Sequence, residues 1–249
     1  NQLDFNDEDL IKSLNHYISL KDFESYKLKI LRRMNHEPIA HITGQKDFWK
    51  NTFSVSKDTL IPRPDSEALI ESVLKYLPQD ENFNFLDLGT GSGCLIISIL
   101  EEFKNSQGTG IDISKNAISI ANKNKKNINN DLNLSFIVHD FFTYDTKGFD
   151  IIICNPPYVP KNELNEITEE VINFEPHLAL FPEKGTKDCY GKIISNIKLT
   201  NNKNCYVFFE IDYRDHVLVS NILKDNDFSV LAAENDLTNR PRCIVAKMN

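Results

Sequence analysis

The stretch Phe83-Asn84-Phe85-Leu86-Asp87-Leu88-Gly89-Thr90-Gly91-Ser92-Gly93 decides the fold. Its first six residues read as a strand. The glycines then turn the chain into an apolar helix running from Cys94 to Phe103. In such a strand, glycine turn and helix, the glycines let backbone approach a ligand closely, and the start of the helix presents unpaired N–H groups to an anion. Gly89, Thr90, Gly91, Ser92 and Gly93 are therefore candidate ligand-binding residues. A second strand, Gly108-Thr109-Gly110-Ile111-Asp112, ends in a carboxylate 19 residues after Gly93. That spacing suits an acid reading ribose hydroxyls at the tip of the second strand of a doubly wound sheet. Asp112 equally suits the cap of a helix beginning near Ser114. The order Gly89-x-Gly91-x-Gly93 puts Cys94 where a dinucleotide loop has its third glycine. This favours S-adenosylmethionine, with S-adenosylhomocysteine as product, over NAD.

Further along, the apolar run Phe149-Asp150-Ile151-Ile152-Ile153-Cys154 leads into Asn155-Pro156-Pro157-Tyr158. Asn155 precedes a proline, so its backbone is pushed toward an extended conformation at the strand's end and its side chain is held in a restricted direction. Pro156 and Pro157 have no N–H, so the backbone here offers carbonyl acceptors without neighbouring donors. The Asn155 oxygen and the Pro156 carbonyl together suit both hydrogens of an –NH2 group. Tyr158 offers a flat face for a planar amide or base. A plain Pro-Pro turn leaving a strand is the structural alternative. The chemical reading is methyl transfer by alignment: the two acceptors orient the nitrogen lone pair and stabilise charge as it becomes positive, because no side-chain base can fully deprotonate an amide at neutral pH. Phe141, following Asp140 after the strand-like segment 134–139, is placed to pack on an adenine ring or to serve as core.

These motifs, with others, resemble the protein-(glutamine-N5) methyltransferases that modify peptide chain release factors. Glu37-Pro38-Ile39-Ala40-His41-Ile42-Thr43-Gly44 and Phe48-Trp49 resemble that family's linker, and Leu60-Ile61-Pro62-Arg63-Pro64-Asp65-Ser66-Glu67 its signature before the catalytic domain. Glu175-Pro176-His177-Leu178-Ala179-Leu180 and Pro241-Arg242 are similar to later landmarks. The tetrapeptide alone is shared with adenine and guanine N-methyltransferases, and the combination with segment 60–67 is far more specific. The resemblance implies a class 1 release factor as partner, the glutamine of its Gly-Gly-Gln motif as methyl acceptor, Asn155 and Pro156 as catalytic, and Asn155, Pro156, Pro157 and Tyr158 as substrate-binding. Gly89 to Gly93, Asp112, Phe141 and Asn155 are implied to hold the cofactor. Asp212 stands where the family usually has glycine, and Gly185-Thr186-Lys187-Asp188-Cys189 replaces a more regular Gly-x-Asp-Gly stretch. Both departures bear on peripheral packing.

The 249 residues suffice for one large domain or a small domain attached to a larger one, burying roughly 70–75% of the unfolded surface. Composition, 41% hydrophobic and 26% charged, is that of an ordinary globular protein, without an apolar stretch long enough to cross a bilayer or a signal peptide, so a cytoplasmic protein is expected. Five scattered cysteines lack the paired spacing of a zinc site, and no metal is expected. The 28 basic against 36 acidic residues weigh against a duplex-binding surface, and no direct nucleic-acid contact is expected. Lys123-Asn124-Lys125-Lys126 reads as a solvated helix end. A monomer is expected.

Residues 1–36 read as a small helical, substrate-gripping domain, incomplete because the chain begins with Asn1. Leu10, Leu14, Tyr17 and Ile18 share one helical face, and Tyr26, Ile30 and Met34 recur at four-residue spacing in a second helix. Residues 37–67 form a linker, with a hairpin over 46–56 using Phe48, Phe53 and Val55. From residue 68 to 249 strands and helices alternate, predicting a mostly parallel sheet covered on both faces. With strands at 134–139, 149–154, 204–211, 228–232 and 243–247, seven result, the last two a hairpin addition. The expected fold is α/β: a seven-stranded Rossmann-like class I methyltransferase domain, a small N-terminal helical domain and a β-hairpin linker. Two alternatives stay open, a nucleic-acid base amine N-methyltransferase acting on a flipped or single-stranded base, and a cofactor-binding module without catalysis.

Overall fold

Strands that are apolar without alternation need cover on both faces, and the runs around residues 85, 152 and 208 are buried along nearly their whole length. A computed structural model describes residues 17–160, 163–164, 167–201 and 204–249. The strands are β1 Gln45–Phe48, β2 Asn51–Ser54, β3 Asn84–Leu88, β4 Gln107–Asp112, β5 Leu134–Val138, β6 Ile151–Cys154, β7 Tyr206–Glu210, β8 Phe228–Asn235 and β9 Pro241–Met248. The helices are α1 Leu20–Met34, α2 Ile39–Thr43, α3 Glu67–Tyr76, α4 Cys94–Glu102, α5 Lys115–Ile128, α6 Glu169–Phe174, α7 His177–Leu180, α8 Thr186–Thr200 and α9 His216–Asp225.

The large sheet has the order β5-β4-β3-β6-β7-β9-β8. Its first five strands run parallel, and β9 is antiparallel to both β7 and β8. This is the expected doubly wound sheet with a terminal hairpin. The direction of winding reverses between β3 and its two neighbours, so a crevice opens beyond the carboxyl ends of β3 and β6. One face carries α8 and α9 through Tyr190, Ile193, Ile194, Ile197, Val219 and Leu223. The opposite face carries α3 and α4 through Leu69, Ile70, Val73, Ile96, Ile97 and Leu100.

The predicted hairpin is β1–β2, and it joins the second core: Phe48 and Phe53 meet edge to face at 6.1 Å and are buried. Asn124 pins it from behind. Its Oδ1 accepts from Ser54 N (2.7 Å), while its Nδ2 donates to Ser54 O (3.0 Å) and Ser92 O (2.8 Å). The lysine-flanked segment is thus not uniformly solvated, because Asn124 faces inward between exposed Lys123 and Lys126.

The N-terminal expectation changes. Leu10 and Leu14 lie outside the described residues, and Tyr17 and Ile18 precede the helix rather than belonging to it. Ser19 is the N-cap of α1, its hydroxyl accepting from Asp22 N at 3.1 Å, and Arg32 and Arg33 sit in the last turn where the helix dipole favours cations. Within α1 no residue is buried, and Tyr26, Ile30 and Met34 are exposed among the described residues. Periodicity locates this helix but not a packed face. Arg33 reaches Glu170 of α6 at 2.9 Å.

Candidate active site

The glycine loop is held in shape by close contacts that exclude side chains. Gly93 has φ +79°, and a Cβ there would lie 3.0 Å from the Phe136 ring. On the neighbouring strand, a Cβ at Gly110 would lie 2.7 Å from Phe136 and 2.8 Å from Thr90 Oγ1, so only glycine lets β4 pass beneath the loop. The loop's N–H groups point back into the protein more than the sequence suggests. Gly89 and Thr90 N–H donate to Ile111 O (2.9 and 2.8 Å), Gly93 N–H to Thr90 O (2.8 Å), and Gly91 N–H to Asp112 Oδ2 (2.9 Å).

Asp112 is not the cap of the following helix, a place that Ser114 takes, and its carboxylate instead ties the glycine loop to the start of that helix. Its Oδ1 also accepts from Ser114 N (2.9 Å), and Ser114 in turn caps α5 by accepting from Ala117 N at 3.2 Å. Burial raises the Asp112 pKa, opposed by the hydrogen bonds from Ser114 and Gly91. Each carboxylate oxygen keeps a lone pair for a further donor.

Gly89, Thr90, Gly91, Ser92, Asp112, Phe141, Asn155 and Pro157 line one cavity of ≈ 230 Å³. Gly93 stays behind it, against Phe136, Ile97 and Ala121. Pro156 and Tyr158 face a second cavity of ≈ 170 Å³, and Asn155 and Arg63 border both. Phe141 is at once wall and core: it lines the first cavity, packs on the sheet and meets Phe142 edge to face at 4.5 Å.

Tyr158 is anchored by its hydroxyl, which donates to Glu210 Oε1 at 3.1 Å; burial beside that carboxylate raises its pKa. Cys154, directly before the tetrapeptide, is a buried thiol whose pKa burial raises; Cys94 is half-buried at the cavity wall, and desolvation pushes its thiol up to about 12. Neither has the electropositive surroundings of a reactive thiol.

The remaining wall comes from two segments far apart in sequence. Thr59, Leu60, Pro62 and Ser66 approach from the linker, and Pro176, Leu178 and Ala179 from the loop around α7. Glu175, buried, joins them by accepting from Ile61 N at 3.1 Å and from the Arg63 guanidinium. Arg63 is thus a half-exposed cation paired with a fully buried carboxylate. Asp212, at the departure from the family pattern, has an ordinary extended backbone (φ −67°) and accepts from Arg214 N and Nε, so glycine is not required there. Among the described residues no helix is long and apolar enough to cross a membrane, and no cluster of His, Cys, Asp and Glu is placed to hold a metal ion.

Residues 79–211 match a family model described as a methyltransferase domain. A "Bifunctional methyltransferase" of Rickettsia typhi is 34% identical over 95% of this chain and 49% of its own length, so the chain spans about half of that relative. A "Release factor glutamine methyltransferase" of Koribacter versatilis is 34% identical over 89% of this chain and 79% of its own length. Among solved structures, a ribosomal protein L11 methylase from Lactobacillus delbrueckii subsp. bulgaricus shares the fold, with TM-score 0.53 and 16% identity over 74% of this chain and 79% of that one. With its sheet order, its glycine loop and a tetrapeptide that borders the same cavity, the chain belongs to the release factor glutamine methyltransferase family.

Proposed function

We propose that this chain transfers a methyl group from S-adenosylmethionine to the side-chain amide nitrogen of the glutamine in the Gly-Gly-Gln motif of class 1 release factors, as a monomeric cytoplasmic enzyme with no nucleic-acid contact of its own. The observation that carries the reading is the meeting of Asn155 with the glycine loop and Asp112 on one cavity. The residues fit the cofactor. Asp112 retains lone pairs for ribose hydroxyls, Phe141 offers a ring face, and Gly91, with no atom within 4 Å of where its Cβ would stand, leaves the cavity clear. When bound, the cofactor supplies an electrophilic methyl on a sulfonium.

The protein's task is then placement. An amide lone pair is delocalised, so the nitrogen is a poor nucleophile until both its hydrogens are held by acceptors. Asn155 Oδ1 and the Pro156 carbonyl are those acceptors, Asn155 bordering both cavities and Pro156 the second. Pro157 and Tyr158 flank the entering side chain, and Tyr158 is fixed for this by Glu210. The negative net charge of −8 and the presence of glutamine-modifying relatives favour a protein acceptor over a nucleic-acid base. Incubation with labelled S-adenosylmethionine and a purified class 1 release factor, followed by peptide mass mapping, should place one methyl on the Gly-Gly-Gln glutamine. Label on nucleic acid instead would turn the assignment to base amines.

A further inference from the structure

Among the described residues, Glu210 is the acidic side chain at the tetrapeptide whose carboxylate is only partly used. It is 1% exposed, its Oε1 accepts from Tyr158, the Ser66 hydroxyl lies close enough to act on the carboxylate, and its Oε2 has no donor in good hydrogen-bond geometry. A buried carboxylate oxygen without a well-aligned donor costs about 1–3 kcal/mol, which a further donor entering the cavity would offset. Its position suggests which. β6 and β7 are parallel with Cys154 opposite Phe209, so the next residues, Asn155 and Glu210, stand side by side where both strands end. Asn155, Pro156, Tyr158 and Glu210 line the same ≈ 170 Å³ cavity.

We propose that Glu210 Oε2 accepts the proton that the acceptor nitrogen must lose during methyl transfer. The proposal rests on the amide-methylating reading above. As the N–CH3 bond forms from the nitrogen lone pair, the S–CH3 pair returns to sulfur and the nitrogen becomes cationic. One N–H bond then breaks, its electron pair stays on nitrogen as the amide conjugation is restored, and the proton goes to Glu210. The neutral oxygens of Asn155 and Pro156 orient the hydrogens but are too weakly basic to keep one. A carboxylate is the base that the cavity adds.

The surroundings suit the task. Burial raises the Glu210 pKa and so strengthens it as a base, while Ser66, Arg242 and Tyr158 lower it and Asp65 raises it. Cys243 is its register partner on β9, and Tyr190 Oη donates to its backbone carbonyl at 2.6 Å from the α8 side. Arg63 borders the cavity as a second cation.

The test uses the full chain, labelled S-adenosylmethionine and a purified class 1 release factor, with kcat measured across pH. In wild type, kcat should rise with pH as Glu210 ionises and then level off. E210Q keeps the acceptor for Tyr158 and should bind cofactor within about twofold of wild type, yet lose on the order of 10²-fold or more in kcat together with the rising limb. E210D should keep the limb at reduced rate. An E210Q enzyme with wild-type kcat and an unchanged pH limb would overturn the role of Glu210 alone, as would a loss in E210Q matched by lost cofactor binding and a lowered Tm. A wild-type chain that methylates no amide overturns both readings.

Discussion

Asp87 sits at the end of β3 with Oδ2 accepting from Thr90 Oγ1 at 2.6 Å and Oδ1 buried without a partner. Burial pushes its pKa up to about 7, well above the ~3.9 of an exposed aspartate. Between those values the folded protein holds a proton that the unfolded chain has released. Stability from this group is therefore fully present at low pH and is lost as pH rises through about 7. Asp87→Asn should flatten the fall in Tm that cofactor-free wild type shows between pH 5 and pH 8; parallel Tm curves for the two proteins would contradict the raised pKa. At Asp112 two effects are superimposed. Asp112→Ala should weaken cofactor binding by about 1.5–3 kcal/mol in calorimetry, since it removes a charged acceptor, and it should also lower Tm because Gly91 and Ser114 lose theirs. Asn155→Ala should leave cofactor affinity intact and reduce kcat by ~10²–10³-fold, as for other groups that act where charge develops. A proportional loss of cofactor affinity would make Asn155 a binding residue only.

At the scale of elements, what could be read from sequence was what is local. A strand, a glycine turn, a helix and a carboxylate on the next strand occupy 83–112 without interruption, and the proline-restricted Asn155 follows its own strand, so both motifs carry their geometry with them. The facing walls, 59–66 and 175–179, have no periodicity of their own. They were visible only as a resemblance, because the Glu175 carboxylate that joins them acts across more than a hundred residues of chain. Glu210 and Asn124 were illegible for the same reason, since their partners are set by strand register and helix docking. Helix α1 is the converse case: spacing located the element, and its apolar residues Tyr26, Ile30 and Met34 are exposed. We expect that face to grip the protein substrate: removing residues 1–36 should raise KM for the release factor severalfold while calorimetry with S-adenosylmethionine stays unchanged. Loss of cofactor binding in a folded truncated protein would show that the two parts are not separable.

The molecule as a whole assembles one site from segments spread over most of the chain. β9 inserts between β7 and β8, and from it Arg242 reaches Asp236 at 3.2 Å, Ile211 O at 3.2 Å and Asp65 of the linker at 3.4 Å. Arg242→Ala should lower Tm and slacken the linker wall, seen as faster amide exchange across 60–66; unchanged exchange there would confine Arg242 to the hairpin. During synthesis this arrangement has a temporal consequence. A nascent chain that has exposed only its glycine loop and Asp112 has half a binding site, and the strand carrying the linker's latch is the last of the sheet to leave the ribosome. Cofactor capture would then follow completion of this sheet rather than accompany its growth.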